Sequence, residues 1–228
     1  MEAIILAGGF GTRLRAVVPD LPKPMAPIAG RPFLEILLGS LAKKKFTRVV
    51  LSLGFMADKI SGHFGDHYLG MELVYEVETT PLGTGGAIRA ALQRCQTDHA
   101  YIFNGDTYLD LEVAKLEELW QSTNNAIIVV REIADTARYG KIELQNGRVT
   151  AFLEKGASGP GVINAGCYVL PQNALNDFPL GEPFSVENKF FMPNLDSIYF
   201  SGFITHGQFI DIGIPTDYEL AQTMLAHL

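Results

Sequence analysis

Short apolar runs and longer amphipathic segments alternate along the first half of the chain. The apolar runs are rich in β-branched residues and predict strands buried on both faces. These runs span residues 3–6, 48–53, 72–75, 101–103 and 126–130. Between them, apolar residues at helical spacing predict helices over residues 33–43, 58–64, 84–94 and 111–121. This β–α–β order is typical of a parallel sheet, which binds ligands at the carboxyl ends of its strands.

After residue 131 the pattern changes to several short strands separated by turn signals. Asn146–Gly147 supplies the positive φ angles that a tight hairpin turn requires. From about Pro215 the sequence predicts a last helix, which we call the closing helix, with proline in its first turn. Its predicted apolar stripe is Tyr218, Leu220, Ala221, Met224 and Leu225. The predicted fold is therefore an α/β, Rossmann-like three-layer α/β/α sandwich, with a mostly parallel central sheet and a small antiparallel portion.

Composition and charge narrow the classes of partner. The 228 residues are 47% apolar and 19% charged, which is typical of one soluble globular unit. A formal charge of −7 without a basic cluster argues against a nucleic-acid polymer as partner. No apolar run reaches the roughly 20 residues of a membrane span, and acidic Glu2 stands where a signal peptide is basic, so we expect a cytoplasmic protein without a membrane partner. Either a monomer or a homodimer is compatible with the sequence. Cys95 and Cys167 are expected to be buried, reduced thiols.

A glycine-rich loop follows the first predicted strand. Gly8, Gly9 and Gly11 let backbone N–H groups surround phosphate oxygens, and Arg13 adds a planar fork of donors. A Rossmann dinucleotide loop needs a third glycine where Leu14 stands, and a P-loop needs Gly-Lys-Ser/Thr, so neither pattern applies. Further along, Pro22 and Pro24 flank Lys23 and present its amine on a stiff loop.

Together these motifs resemble the signature of the sugar nucleotidyltransferase family. The resemblance is carried, in order, by residues 6–14, 22–25, 81–87, 103–106, 152–155, 164–166 and 210–215. Two departures concern loop shape and leave details of the substrate open: Ala16 where relatives often have proline, and Phe209 where tryptophan is common. The resemblance implies one nucleotidyltransferase domain over residues 1–228. Residues 1–131 would form mainly the nucleotide-binding half, and residues 132–228 mainly the sugar-binding half and closing helix.

The resemblance also assigns the catalytic parts. Nucleotidyl transfer needs cations, backbone N–H groups and Mg²⁺ around the phosphates more than covalent help. Asp106 lies just past a buried strand, beside Gly105, and a carboxylate there suits Mg²⁺. Asp211 is implied as the second Mg²⁺ ligand, Arg13 as the partner of departing pyrophosphate, and Lys23 as the cation that bridges the phosphates. No general base is required, because the attacking sugar phosphate is already ionised.

Two groups of binding residues follow from the same motifs. The nucleotide site would comprise Leu6, Ala7, Gly8, Gly9, Gly11, Thr12, Arg13, Lys23, Glu78, Leu82, Gly83, Thr84, Asn104, Gly105 and Asp106. The sugar-phosphate site would comprise Tyr139, Gly140, Glu154, Lys155, Asn164 and Asp211. Glu154 and Lys155 are adjacent on a predicted strand, so both can face one pocket only where the strand is irregular.

The loop over residues 81–88 most resembles guanylyltransferases of the family that act on mannose-type or manno-heptose 1-phosphates. It implies GTP and D-glycero-α-D-manno-heptose 1-phosphate as preferred substrates. Residues 82–85 within it resemble the family's base-reading loop, in which glycine admits the base. Guanine N1–H and N2–H₂ would be satisfied by a carboxylate or by backbone carbonyls, and Glu76 and Glu78 precede this loop. N-acetylmuramate 1-phosphate uridylyltransferase and mannose-1-phosphate guanylyltransferase activities remain alternatives. A catalytically silent regulatory subunit that binds sugar nucleotides is an alternative of another class.

Overall fold

A computed structural model describes residues 1–9, 11, 14, 17–153, 156 and 158–228. The strands are β1 Glu2–Ala7, β2 Pro27–Ile28, β3 Arg31–Pro32, β4 Arg48–Leu53, β5 His67–Tyr68, β6 Met71–Val77, β7 His99–Asn104, β8 Thr107–Leu109, β9 Ile127–Ile133, β10 Lys141–Gln145, β11 Arg148–Leu153, β12 Gly161–Pro171, β13 Ser201–Ile204 and β14 Phe209–Asp211. The α-helices are α1 Phe33–Lys43, α2 Ala57–Phe64, α3 Gly83–Leu92, α4 Val113–Thr123 and α5 Pro215–Met224. A π-helical turn spans Glu187–Phe191.

Ten of these strands form one central sheet in the order β10-β11-β13-β9-β12-β7-β1-β4-β6-β5. The pairings give β1, β4, β6, β7, β9, β10 and β13 one direction, and β5, β11 and β12 the opposite one. Seven of the ten strands thus share one direction. Four neighbouring pairs are parallel and five are antiparallel, and four of those five involve strands from the second half of the chain. This confirms the predicted fold class.

Alternation along the strands divides the core into two layers. In β1, Ala3 and Ile5 face the cluster that includes buried residues of α1, α4 and α5, whereas Ile4 faces the cluster formed with α3 and the π-helical turn. Successive strand side chains point to opposite faces, so continuous apolar runs fill both layers. The result is the predicted three-layer sandwich.

Most predicted elements are present within two or three residues of their predicted ends. The Asn146–Gly147 hairpin is confirmed: φ is 51° at Asn146 and 77° at Gly147, between β10 and β11. The closing helix is α5, but Leu220 of its predicted stripe is 54% exposed, so that assignment to the buried face is wrong. The stripe fails there because α5 buries only a narrow face, which contains Tyr218 and Ala221.

Two further predictions concern the whole chain. Both cysteines are free and buried, and burial raises the pKa of the Cys95 thiol to about 12. Within the described ranges, no helix has the length and apolar character needed to cross a membrane.

Candidate active site

A cavity of about 390 Å³ opens at the carboxyl ends of β1, β4 and β7, where a parallel sheet is expected to bind ligands. Twelve of the predicted nucleotide-binding residues line it: Leu6, Ala7, Gly8, Gly9, Gly11, Lys23, Glu78, Gly83, Thr84, Asn104, Gly105 and Asp106. Predicted Leu82 is buried and is not part of the lining. Predicted Thr12 and Arg13 lie outside the described residues.

Five lining residues were not predicted: Pro24, Ser52, Pro81, Ala87 and Gly213. The two prolines, Ala87 and Gly213 stand inside motifs that carried the family resemblance, so those motifs could have indicated them. Ser52 gives no such signal, because it is a single hydroxyl within the buried strand β4.

A small second sheet brings the two predicted metal-binding carboxylates together. Strands β8 and β14 pair antiparallel, with Asp211 opposite Thr107, the residue after Asp106. The Ile212 N–H donates to the Asp106 carbonyl oxygen at 2.9 Å, which extends this pairing by one hydrogen bond. Asp106 and Asp211 therefore stand on adjoining backbone segments, although they are 105 positions apart in the sequence.

Lys23 completes a charged cluster with these carboxylates. Its Nζ lies 2.5 Å from Oδ2 of Asp106, and the lysine side chain is 10% exposed against 33% for the aspartate. The Gly213 N–H donates to Oδ1 of Asp211 at 2.6 Å. A Cβ built on Gly213 would stand 2.7 Å from that oxygen and 3.2 Å from Lys23 Nζ. Lys23 and Asp211 thus meet at Gly213, and Asp106 joins them through its ion pair with Lys23.

The donor set fits a hard divalent cation that shares its coordination with a substrate. Among the described residues no group of three or more His, Cys, Asp or Glu side chains converges as a metal cage. Mg²⁺ is usually held by one or two carboxylates together with waters and substrate phosphates. Asp106 and Asp211 supply two carboxylates beside a cavity lined by the glycine loop.

At another wall of the cavity Glu78 connects the glycine loop to the turn before α3. Its Oε2 accepts a hydrogen bond from the Leu82 N–H at 2.9 Å, and Oε1 accepts one from Ser52 Oγ at 3.4 Å. A Cβ built on Gly8 would lie 3.0 Å from Oε1. Burial raises the pKa of this carboxyl, while its two hydrogen bonds oppose that shift. An ionised carboxylate has about four acceptor positions, so Glu78 keeps acceptor capacity for a ligand.

The glycines of the turn 82–86, which includes the first turn of α3, are required by packing of the chain itself. Residues 182–187, which we call the backing segment, lie directly against this turn. A Cβ would stand 2.6 Å from the Phe184 carbonyl oxygen at Gly83, 2.1 Å from the Phe184 ring at Gly85, and 2.5 Å from the Glu182 carbonyl oxygen at Gly86. Phe184 N–H donates to the Leu82 carbonyl, and Gly85 N–H donates to the Phe184 carbonyl. These glycines therefore have a structural cause within the chain, and the role of Gly83 and Gly85 in admitting the base stays a prediction.

Of the predicted sugar-side residues, the described ones, Tyr139, Gly140, Asn164 and Asp211, are not part of the lining of this cavity. Tyr139 is placed near Asp211: burial raises the pKa of its hydroxyl, Arg138 opposes that shift, and the charges of Asp211 and Asp217 add to it. A Cβ on Gly140 would be 3.1 Å from the Leu153 carbonyl oxygen. Predicted Glu154 and Lys155 lie outside the described residues.

Asn164 occupies an irregular stretch of β12, where the register with β9 shifts between Asn164 and Cys167. Its Oδ1 accepts from the Gly166 N–H at 2.9 Å, and its Nδ2 donates to the Tyr168 hydroxyl at 2.7 Å. Gly166 has φ of 70°, and a Cβ there would be 2.6 Å from Nδ2 of Asn104, which lines the cavity. This bulge thus connects the predicted sugar side to the nucleotide cavity.

Comparison with known proteins identifies the class to which this fold and site belong. The family described as nucleotidyl transferase matches residues 2–224, and the chain belongs to that family. Enzymes of this family generally use a divalent metal.

Particular relatives extend the match over the full chain. It is 41% identical over 228 residues to D-glycero-alpha-D-manno-heptose 1-phosphate guanylyltransferase of Aneurinibacillus thermoaerophilus, covering 100% of this chain and 99% of the relative. Mannose-1-phosphate guanylyltransferase of Mycobacterium tuberculosis is 36% identical over 96% of this chain and 62% of its own length. The crystal structure of HddC from Yersinia pseudotuberculosis complexed with GMP-PN superposes with a TM-score of 0.87 at 38% identity, covering 98% of each chain.

Proposed function

We propose that the chain is a sugar-1-phosphate guanylyltransferase that joins GMP from GTP to D-glycero-α-D-manno-heptose 1-phosphate and releases pyrophosphate. The observation that carries the proposal is one cavity with two kinds of chemistry on its walls. Lys23 and Asp106, with Asp211 beside Gly213, suit phosphates and a metal ion, and the Glu78 carboxylate suits a base that offers two donors. The full-length similarity to a heptose 1-phosphate guanylyltransferase supports the same substrates.

The proposed step is an in-line displacement at the α-phosphorus of GTP. An oxygen of the acceptor's phosphate forms the new P–O bond while the bond from the α-phosphorus to the α,β-bridging oxygen breaks. The electron pair of that bond leaves with pyrophosphate. The acceptor oxygen is already ionised near neutral pH, so no side chain has to remove a proton, and the protein contributes mainly position and charge.

Each charged residue has a role in this displacement that follows from its place. Backbone groups of Gly8, Gly9 and Gly11 line the cavity and would cradle the phosphates, and Lys23 would neutralise charge that develops on them. Asp106 and Asp211 would hold Mg²⁺, which when bound neutralises the phosphate oxygens and orients them. Arg13 remains the predicted partner of the departing pyrophosphate.

Glu78 supports guanine over the pyrimidines. Guanine offers N1–H and N2–H₂ on one edge, so it can place two donors on one carboxylate, whereas uracil offers the single N3–H donor there. A half-buried carboxylate left with an unmatched acceptor position rejects the wrong base more strongly than a hydrophobic wall does. This arrangement supports the proposal that GTP is the preferred nucleotide.

The acceptor is the part of the proposal that depends most on the relatives. Tyr139, Gly140, Glu154, Lys155 and Asn164 are proposed to contact the sugar and its phosphate. Mannose 1-phosphate is the second candidate acceptor, favoured by the similarity to the mycobacterial enzyme.

A substrate matrix tests the proposal directly. Pyrophosphate release would be measured from GTP, UTP, CTP, ATP and dTTP with Mg²⁺, each against manno-heptose, mannose, glucose and N-acetylmuramate 1-phosphates. Release that requires GTP and the heptose phosphate supports the proposal, and a preference for mannose phosphate replaces the acceptor. Release from UTP with the muramate phosphate would contradict the assignment of guanine. No release from any pair would favour the silent regulatory subunit.

A further inference from the structure

Glu187 stands at the end of the backing segment and joins groups from three separate parts of the chain. Its Oε2 accepts hydrogen bonds from Thr84 Oγ1 at 3.0 Å and from Ser185 Oγ at 2.7 Å. Its Oε1 accepts from the Tyr168 hydroxyl at 3.1 Å. Hydrogen bonds to an ionised acceptor are roughly twice as strong as neutral ones, so this carboxylate is a strong junction.

On the nucleotide side, the junction fixes the turn that borders the cavity. Thr84 Oγ1 accepts from the Val186 N–H at 2.9 Å, so its single hydrogen is directed to Glu187. Thr84 lines the cavity together with Gly83, and α3 begins at Gly83. The position of this wall is therefore set by the backing segment.

On the acceptor side, the junction fixes the bulge in β12. Tyr168 is 1% exposed, and burial raises its pKa well above the ordinary value, so the hydroxyl stays protonated and donates to Glu187. The same hydroxyl oxygen accepts from Asn164 Nδ2 at 2.7 Å. The hydrogen-bonded chain thus runs from Thr84 through Glu187 and Tyr168 to Asn164.

We propose that Glu187 is a positioning residue that couples the nucleotide wall at Thr84 to the acceptor side at Asn164. The inference rests on the proposed transferase function, and it adds a residue that touches neither substrate. A displacement of Thr84 or of Asn164, at the two ends of this hydrogen-bonded series, changes the hydrogen bonds of the shared Glu187 carboxylate. The two proposed substrate sites are therefore positioned together.

Glu187→Gln is the central test because the amide keeps the size of the side chain. The NH₂ group of the glutamine must face either the Tyr168 hydroxyl or the hydroxyls of Thr84 and Ser185. In both orientations a hydrogen-bond donor then faces another donor, and at least one hydrogen bond is lost. We expect KM to rise about tenfold for both GTP and the sugar 1-phosphate, the size expected from losing hydrogen bonds to a charged group. The turnover number should change by less than about threefold, because Lys23 and the two aspartates are untouched.

Glu117→Gln is the matched control. The Glu117 carboxylate also accepts a hydrogen bond from a buried tyrosine, Tyr101, at 2.5 Å, but neither residue lines the cavity. This control should lower the unfolding temperature and leave both KM values unchanged. If Glu187→Gln does not fold, Ser185→Ala removes one donor from the same carboxylate and should raise both KM values about threefold.

Single substitutions at Thr84 and Tyr168, on the two sides of Glu187, distinguish coupling from local damage. Thr84→Val should raise mainly the KM for GTP, and Tyr168→Phe mainly that for the sugar phosphate. When either is combined with Glu187→Gln, the effects should be clearly less than additive. Additive effects would overturn the coupling, as would a Glu187→Gln protein that loses only stability or changes only one KM.

The proposed function can fail separately from this inference. The KM values are to be measured with whichever substrate pair the wild-type protein turns over, so a different pair contradicts the substrates and leaves the coupling test intact. If no pair reacts, the transferase proposal fails. Calorimetric titration of GTP then compares Glu187→Gln with Glu117→Gln, and equal affinities would overturn the role of Glu187 at the nucleotide wall.

Discussion

Replacing Gly213 with alanine tests whether the placement of Asp211 is required for turnover. Gly213 is buried, lines the cavity and donates its N–H to Oδ1 of Asp211 at 2.6 Å. A Cβ would meet that same oxygen at 2.7 Å, whereas ordinary contacts begin at 3.4 Å. The carboxylate or the backbone must therefore move by about 0.7 Å, and Lys23 Nζ, at 3.2 Å from the new atom, limits the direction of the movement.

This displacement can be converted into an expected loss of turnover. Misplacing a catalytic group by about 1 Å costs on the order of 100-fold in rate. A 100-fold loss corresponds to about 2.7 kcal/mol of activation free energy. Weakening the Gly213–Asp211 hydrogen bond adds about 1 kcal/mol of lost folding stability. We expect turnover to fall roughly 30- to 100-fold while the protein remains folded.

Pyrophosphate release at saturating substrates measures this effect, with thermal unfolding recorded on the same samples. Gly62→Ala is the control, because Gly62 lies in α2 and a Cβ there meets no atom within 4 Å. That change should leave turnover unaltered and raise stability by about 0.5–1 kcal/mol through helix propensity. If Gly213→Ala kept turnover within about threefold of wild type, the need for Asp211 at its observed position would be refuted.

Three further predictions concern the metal, the base and the hairpin. Asp106→Asn should reduce turnover at least 100-fold, and EDTA should abolish wild-type turnover until Mg²⁺ is restored. Near-normal turnover by the Asp106→Asn protein would remove Asp106 from the metal site. Because the Glu78 pKa is raised, lowering pH should neutralise it earlier than a free glutamate and raise KM for GTP. Glu78→Gln should give a high KM that lacks this additional rise at low pH, and matching pH profiles for both proteins would contradict this. Gly147→Ala, at φ of 77°, should destabilise by about 1 kcal/mol without changing turnover; an unchanged unfolding temperature would argue against the turn.

The sequence predicts the parallel part of the sheet because its strands are long, apolar and buried on both faces. By contrast, β8 and β14 each contain three residues, which is too few to show a periodic pattern. Their pairing nevertheless brings Asp106 beside Asp211. The proximity of these two carboxylates therefore came from the family resemblance and could not come from hydrophobic pattern.

Glycine is informative about close approach but not about what approaches. Gly83 and Gly85 suggested room for a nucleotide base, yet a Cβ at either position would meet Phe184 of the backing segment. Glu187 gave no signal at all, because a lone glutamate is usually solvated. Its partners come from positions 84, 168 and 185, and only the folded chain shows that they meet.

The division of the chain into a nucleotide-binding half and a sugar-binding half at residue 131 remains a prediction, and the sheet order bears on how such halves could act. Strand β9 of the first half reaches β7 only through β12 of the second, because the order is β9-β12-β7. The Ile212 N–H supports Asp106, and the backing segment supports Thr84. A fragment that ends at residue 131 would lack the strand that joins its own sheet and the contacts that shape its cavity. The proposed nucleotide site therefore requires the second half to be folded in place, which gives a physical route for the proposed acceptor side to influence the proposed nucleotide side.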